Sequence, residues 1–102
     1  MKTIDVSTLK KRMDAGEALH LVDVREPNEH DEFNIGGLLL PLGDIRVGDI
    51  EPIEQLKDQE VLLYCRSGNR SGQAALILES MGFSHVVNVV GGMLSWKEEF
   101  PL

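Results

Sequence analysis

Cysteine is almost missing from this chain of 102 residues; there is one, Cys65. No intrachain disulfide can form, so the fold must rest on packing, and a lone thiol suits a reducing compartment such as the cytoplasm. Positive charge is also scarce. Ten Lys and Arg stand against 17 Asp and Glu, for a formal net charge of −7. Such a surface repels phosphate backbones and anionic lipid, which argues against nucleic-acid and membrane partners. No apolar run approaches the roughly 18 residues that span a bilayer. The opening Met1-Lys2-Thr3-Ile4-Asp5 lacks the apolar centre of a signal peptide. Repeats, low-complexity tracts and Pro/Gly/Ser linkers are lacking as well, so residues 1–102 read as one domain. His20, His30 and His85 have no metal-ligand spacing, and no metal or other cofactor is expected. What remains is ordinary globular composition, 42% apolar and 26% charged, which excludes disorder.

Short apolar runs punctuate the chain: Thr3-Ile4, Leu19 to Val24, Leu38 to Leu40, Val61 to Tyr64, and Val86 to Val90. Runs without alternation suit strands buried on both faces, as in a parallel sheet. Helical spacing lies between them. Ser7 is placed to cap a helix bearing Leu9 and Met13, with Lys10, Lys11 and Arg12 toward its end and Gly16 to stop it. Ala74, Ile77, Leu78 and Met81 share one face of a helix predicted over Ser71 to Met81, stopped by Gly82. A short helix begins around Glu26, Asn28 and Glu29 after Pro27, and another covers Met93 to Glu99, with Met93 and Trp96 in the core. Pro41 to Pro52 reads as loop or short helical turns. Strands alternating with helices predict an α/β fold with right-handed crossovers. Sites in such folds form beyond the carboxyl ends of the strands. That rule selects Asp23-Val24-Arg25, Cys65, and the Gly91-Gly92 turn.

Cys65 ends a buried run and opens a polar loop, Arg66-Ser67-Gly68-Asn69-Arg70, ahead of a helix starting at Ser71. Successive N–H groups in such a loop form an anion nest, and the helix adds its unpaired N–H groups and dipole. Gly68 and Asn69 tolerate positive φ, Ser67 and Ser71 offer hydroxyl donors, and Arg66 and Arg70 bring positive charge. The same features lower a thiol's pKa, so Cys65 is a nucleophile that needs no general base. A lone cysteine at a strand end is more often a small buried hydrophobe. The two arginines, two serines and glycine directly after it favour the catalytic reading. For Asp23 and Arg25 the favoured reading is an ion pair that braces neighbouring loops.

The segment Tyr64-Cys65-Arg66-Ser67-Gly68-Asn69-Arg70-Ser71 resembles the active-site loop of rhodanese-type sulfurtransferases. Leu21-Val22-Asp23-Val24-Arg25-Glu26-Pro27 and Gly91-Gly92-Met93-Leu94-Ser95-Trp96 are similar to two further segments of that family. The resemblance implies a rhodanese-like three-layer fold, a five-stranded mostly parallel sheet flanked by helices. It implies that Cys65 takes a sulfane sulfur, for example from thiosulfate, as a persulfide and passes it to cyanide or a thiol. Arg66, Ser67, Gly68, Asn69, Arg70 and Ser71 would then bind the substrate, while Asp23 and Arg25 support the loop. Which of Arg66 and Arg70 faces the substrate stays open at this stage. So does a rival role, in which a protein sulfur donor loads Cys65 and the chain serves as persulfide carrier or docking module in cofactor or tRNA thiolation. The stretch Phe33-Asn34-Ile35-Gly36-Gly37-Leu38 departs from the family's His-Ile-Pro-Gly-Ala-like pattern. It looks more like the rhodanese domains fused behind ubiquitin-activating-type enzymes. Related phosphatases carry a longer loop between Cys and Arg; the tighter one here suits sulfur rather than a phosphoryl group.

Overall fold

The structure, a computed structural model, describes residues 1–101. Every apolar run supplies a strand: β1 (Lys2–Ile4), β2 (Leu21–Asp23), β3 (Leu38–Leu39), β4 (Glu60–Tyr64) and β5 (His85–Val89). They form one sheet in the order β1-β5-β4-β2-β3, and every neighbouring pair is parallel. The helices are α1 (Val6–Asp14), α2 (Pro27–Glu32), α3 (Leu42–Arg46), α4 (Asn69–Ser80) and α5 (Gly92–Glu99). The stretch from Pro41 to Pro52 resolves into α3 and the start of a 3-10 turn over Glu51–Leu56.

Side chains alternate along β4, and this divides the core. Val61, Leu63 and Cys65 face one layer with Ala74, Ala75 and Leu78 of α4 and Ile45 of α3. Leu62 and Tyr64 face the other, with Val6 and Leu9 of α1 and Met93 and Trp96 of α5. Both faces of the sheet are covered, which is why its strands read as apolar runs without alternation.

Two helix starts differ from the sequence expectation. Asp5, not Ser7, caps α1, accepting from the Thr8 N–H at 2.8 Å. The earlier start brings Val6 onto the buried face with Leu9; Ser7 instead bonds Glu99 of α5. Likewise α4 begins at Asn69, two residues before Ser71. Gly68 adopts φ +98°, so the chain turns from strand into helix within a few residues.

The topology places the site. From β2 the chain proceeds through α2 to β3, on one side; from β4 it proceeds through α4 to β5, on the other. The carboxyl ends of β2 and β4 are neighbours whose connections diverge, which opens a crevice between them. Cys65 follows β4, and Arg25 lies just beyond β2.

Two leucines on α4 test the layer assignment. Leu78 is fully buried, whereas Leu76, one turn-half earlier, is 60% exposed. Leu78→Ala is expected to lower unfolding stability by about 2–5 kcal/mol. Leu76→Ala should change it by less than about 0.5 kcal/mol. Urea denaturation of both variants measures the contrast.

Candidate active site

Cys65 is 1% exposed and sits at the floor of a short loop. Its Sγ accepts a hydrogen bond from the Gly68 N–H at 3.1 Å, and the Ser71 Oγ lies 3.4 Å away. Burial is the largest influence on this thiol and opposes ionisation. The Ser71 hydroxyl and the N–H groups of Ser71, Gly68 and Ser67 together outweigh it, holding the thiol below its ordinary pKa.

The loop faces inward because its carbonyls are drawn outward. The N–H groups of Met93 and Leu94, in the first turn of α5, donate to the carbonyls of Cys65 and Arg66, each at 2.9 Å. A trans peptide unit points its N–H opposite to its C=O. Anchoring those two carbonyls therefore turns the N–H groups of Arg66 and Ser67 toward the sulfur side. α5 can approach this closely only through glycine. A Cβ on Gly92 would lie 2.5 Å from the Cys65 carbonyl oxygen and 2.6 Å from that of Arg66, and Gly92 has φ +54°.

The residues singled out in the sequence divide into three groups. Cys65, Gly68 and Ser71 converge, with the Ser67 N–H, on the sulfur. Asn69 and Arg70 belong to the first turn of α4 rather than to the loop, because the helix starts early. Arg70 is held by Glu29 of α2 through two hydrogen bonds, 2.6 and 2.8 Å. Arg66 is exposed and lines a cleft of about 160 Å³ whose other charged residues are Arg25, Lys97, Glu29 and Glu32.

Asp23 and Arg25 form a buried pair at 0% and 4% exposure. Arg25 donates through Nε to Asp23 Oδ1 at 2.9 Å and through Nη2 to Oδ2 at 2.8 Å. Nη2 also donates to the Phe33 carbonyl beyond α2, and His30 Nδ1 lies 2.9 Å from Asp23 Oδ2. Burial works against the Asp23 charge, but Arg25 and His30 overcome it and keep the carboxyl below its ordinary pKa. The pair thus fixes α2, and α2 carries Glu29 to Arg70.

Two contributors escaped sequence reasoning. Glu29 looked like a carboxylate at a helix N-terminus, and it does close a capping box with Glu26. Its pairing with Arg70, 41 residues away, has no local signal. Asn88 did leave one, as a polar residue inside the run Val86 to Val90. It accepts from Ser71 Oγ at 2.5 Å and donates to the Gly68 carbonyl at 3.1 Å.

Gly92→Ala is expected to push the loop off α5 and lower stability by about 1–3 kcal/mol. The pH midpoint of Cys65 alkylation by iodoacetamide should move up toward that of an ordinary thiol. The Glu29–Arg70 pair predicts a pH dependence. Arg70 lowers the Glu29 pKa from 4.5 to about 2. A depressed folded-state pKa adds stability above the unfolded value and loses it as pH falls through the folded one. Thermal melts from pH 5 to pH 2 should therefore show a steeper loss for the wild type than for Glu29→Gln.

Similarity to known proteins agrees with this geometry. Residues 5–99 match the family described as "Rhodanese-like domain". The chain is 43% identical over 101 residues to the Bacillus subtilis protein YtwF, whose name gives a sulfurtransferase assignment as provisional; the match covers 97% of this chain and 93% of that protein. The Escherichia coli thiosulfate sulfurtransferase PspE is 35% identical over 75 residues, 72% of this chain and 71% of that one. The crystal structure of a rhodanese-like domain protein from Staphylococcus aureus superposes with a TM-score of 0.82 at 30% identity, covering 94% of this chain and 91% of that one. With a family match from Asp5 to Glu99 and the cysteine loop at the carboxyl end of the central strand, the chain belongs to the rhodanese-like family, whose sulfurtransferases it resembles in both sequence and fold.

Proposed function

We propose that the protein is a thiosulfate sulfurtransferase with Cys65 as its nucleophile. The observation that carries this reading is the convergence of N–H groups on a thiol held below its ordinary pKa. A nucleophile activated in this way needs no separate base. The name of the Escherichia coli relative, a thiosulfate sulfurtransferase, supports thiosulfate as the donor.

The Cys65 thiolate attacks the outer sulfur of thiosulfate. A bond forms between Sγ and that sulfur, the sulfur–sulfur bond of thiosulfate breaks, and its electron pair leaves with sulfite. The product is a persulfide whose negative charge sits on the terminal sulfur. An acceptor such as cyanide or a small thiolate then attacks the terminal sulfur, and the electron pair of the persulfide bond returns to Sγ. The N–H groups of Ser67, Gly68 and Ser71 hold the charge in both steps, as preorganised donors at a water-poor site. Arg66 draws the dianion to a chain that is otherwise acidic. Arg70, engaged by Glu29, orients the first turn of α4.

Loading the purified protein with thiosulfate should add about 32 Da at Cys65, the mass of one sulfur in a covalent intermediate. Cys65→Ser should keep its circular dichroism spectrum and lose both the adduct and the release of thiocyanate from cyanide, since serine is not ionised near neutral pH. Turnover in that variant, or brisk hydrolysis of an aryl phosphate by the wild type without thiosulfate turnover, would overturn the reading.

A further inference from the structure

Asn88 is the one polar residue among the buried positions of β5, where its neighbours are Val86, Val87 and Val89, and it is only 7% exposed. Its amide orientation follows from chemistry. The Gly68 carbonyl can only accept, so the atom 3.1 Å from it is the donor Nδ2. That leaves Oδ1, which carries no hydrogen, 2.5 Å from Ser71 Oγ, so Ser71 donates. A serine hydroxyl has one proton. The same Oγ lies 3.4 Å from Cys65 Sγ. Asn88 and the sulfur therefore compete for one hydrogen.

The competition depends on the charge of the sulfur. A neutral thiol can donate its own S–H to a lone pair of Ser71, while Ser71 donates to Asn88. A thiolate has nothing to donate and takes the hydroxyl proton instead. We propose that Asn88 is a positioning residue that holds the Ser71 proton while Sγ is uncharged and yields it when Sγ is a thiolate, so that the hydroxyl follows the charge on the sulfur. This rests on Cys65 being the reacting sulfur. In the persulfide the charge has moved to the terminal sulfur, and the hydroxyl returns to Asn88, leaving the terminal sulfur to the backbone N–H groups. The device also limits how far Ser71 stabilises the thiolate, which preserves nucleophilicity, since attacking power falls as thiol pKa falls.

The charged groups around the loop are Arg66, the Arg70–Glu29 pair and the Asp23–Arg25 pair, with His30 on Asp23; Glu32 and Lys97 line the cleft on one side, and Glu26 and Arg46 the cleft on the other. A change at position 88 alters none of them. Nor does it strip the Gly68 carbonyl, which also accepts from the Gly72 N–H at 3.0 Å.

The test is the pH profile of Cys65 alkylation by iodoacetamide in Asn88→Leu, a variant with the same branching of side-chain heavy atoms and no acceptor. Ser71 then donates only to sulfur. The midpoint should fall, with about threefold more thiolate below it, a shift of about half a pH unit. If Asn88 merely props the loop, its removal lets the N–H groups drift and the midpoint rises. In a Ser71→Ala background, Asn88→Leu should shift nothing. A rise, no change with Ser71 present, or an equal fall without Ser71 would each overturn the proposal. Should Asn88→Leu not fold, Asn88→Asp serves: a charged acceptor holds the proton more firmly, so the midpoint rises more with Ser71 than in Ser71→Ala. An equal rise in both backgrounds overturns the proposal. Alkylation needs no sulfur donor, so absent thiosulfate turnover in the wild type would sink the sulfurtransferase reading without touching this one.

Discussion

The N–H groups of Met93 and Leu94 hold the carbonyls of Cys65 and Arg66, and the direction of the whole cysteine loop depends on that pair of hydrogen bonds. A loop leaving a strand has both N–H and C=O groups to satisfy, and either set could face the sulfur. Carbonyls facing Sγ would repel a thiolate. The first turn of α5 has N–H groups without partners inside its own helix, so it can take the carbonyls. This requires backbone against backbone, which Gly92 permits. A glycine twenty-seven positions from Cys65 thus decides the electrostatics at the sulfur.

A second support runs through charge. Asp23 and Arg25 are buried and mutually satisfied, with Arg25 reaching the Phe33 carbonyl and His30 reaching Asp23. These contacts fix α2 against the end of β2. From α2, Glu29 grips Arg70 and so orients the first turn of α4, where the helix amides approach the sulfur. Among the described residues no buried side-chain polar atom lacks a partner. Buried polar groups are tolerable on that condition, because each unpaired one would cost about 1–3 kcal/mol. The arginines near the loop therefore divide their work: one braces the helix, and one remains exposed at a cleft beside it.

The elements legible in sequence were those with local causes. Strands covered on both faces must be apolar throughout, so Val61 to Tyr64 and Val86 to Val90 identified themselves. The face made by Ala74, Ile77, Leu78 and Met81 did the same for α4, whose buried apolar members are Ala74, Ala75 and Leu78 with Ile77 and Met81 packed against them. Helix starts were less legible. Ser7 and Asp5 are both competent caps, and only the burial of Val6 selects Asp5. Ser71 looked like the first helical residue, yet Gly68 turns the chain sooner and places Ser71 inside the first turn, where its hydroxyl reaches both Cys65 and Asn88.

Residue types and their order were enough to settle the α/β architecture and to single out one cysteine, followed by a loop rich in donors, at the end of a buried strand. Those properties are local: a strand's burial and a loop's flexibility show in neighbouring residues. What needed the folded chain is every partnership across it. Glu29 meets Arg70, Asn88 meets Ser71, and α5 meets the carbonyls of the loop only because the strand order sets β4 between β2 and β5. A hydrogen bond acts over about 3 Å and a residue advances the chain by about as much. Which distant donor faces which acceptor is therefore decided by the packing of the layers, and it is that packing which sets a buried thiol among N–H groups able to hold its charge.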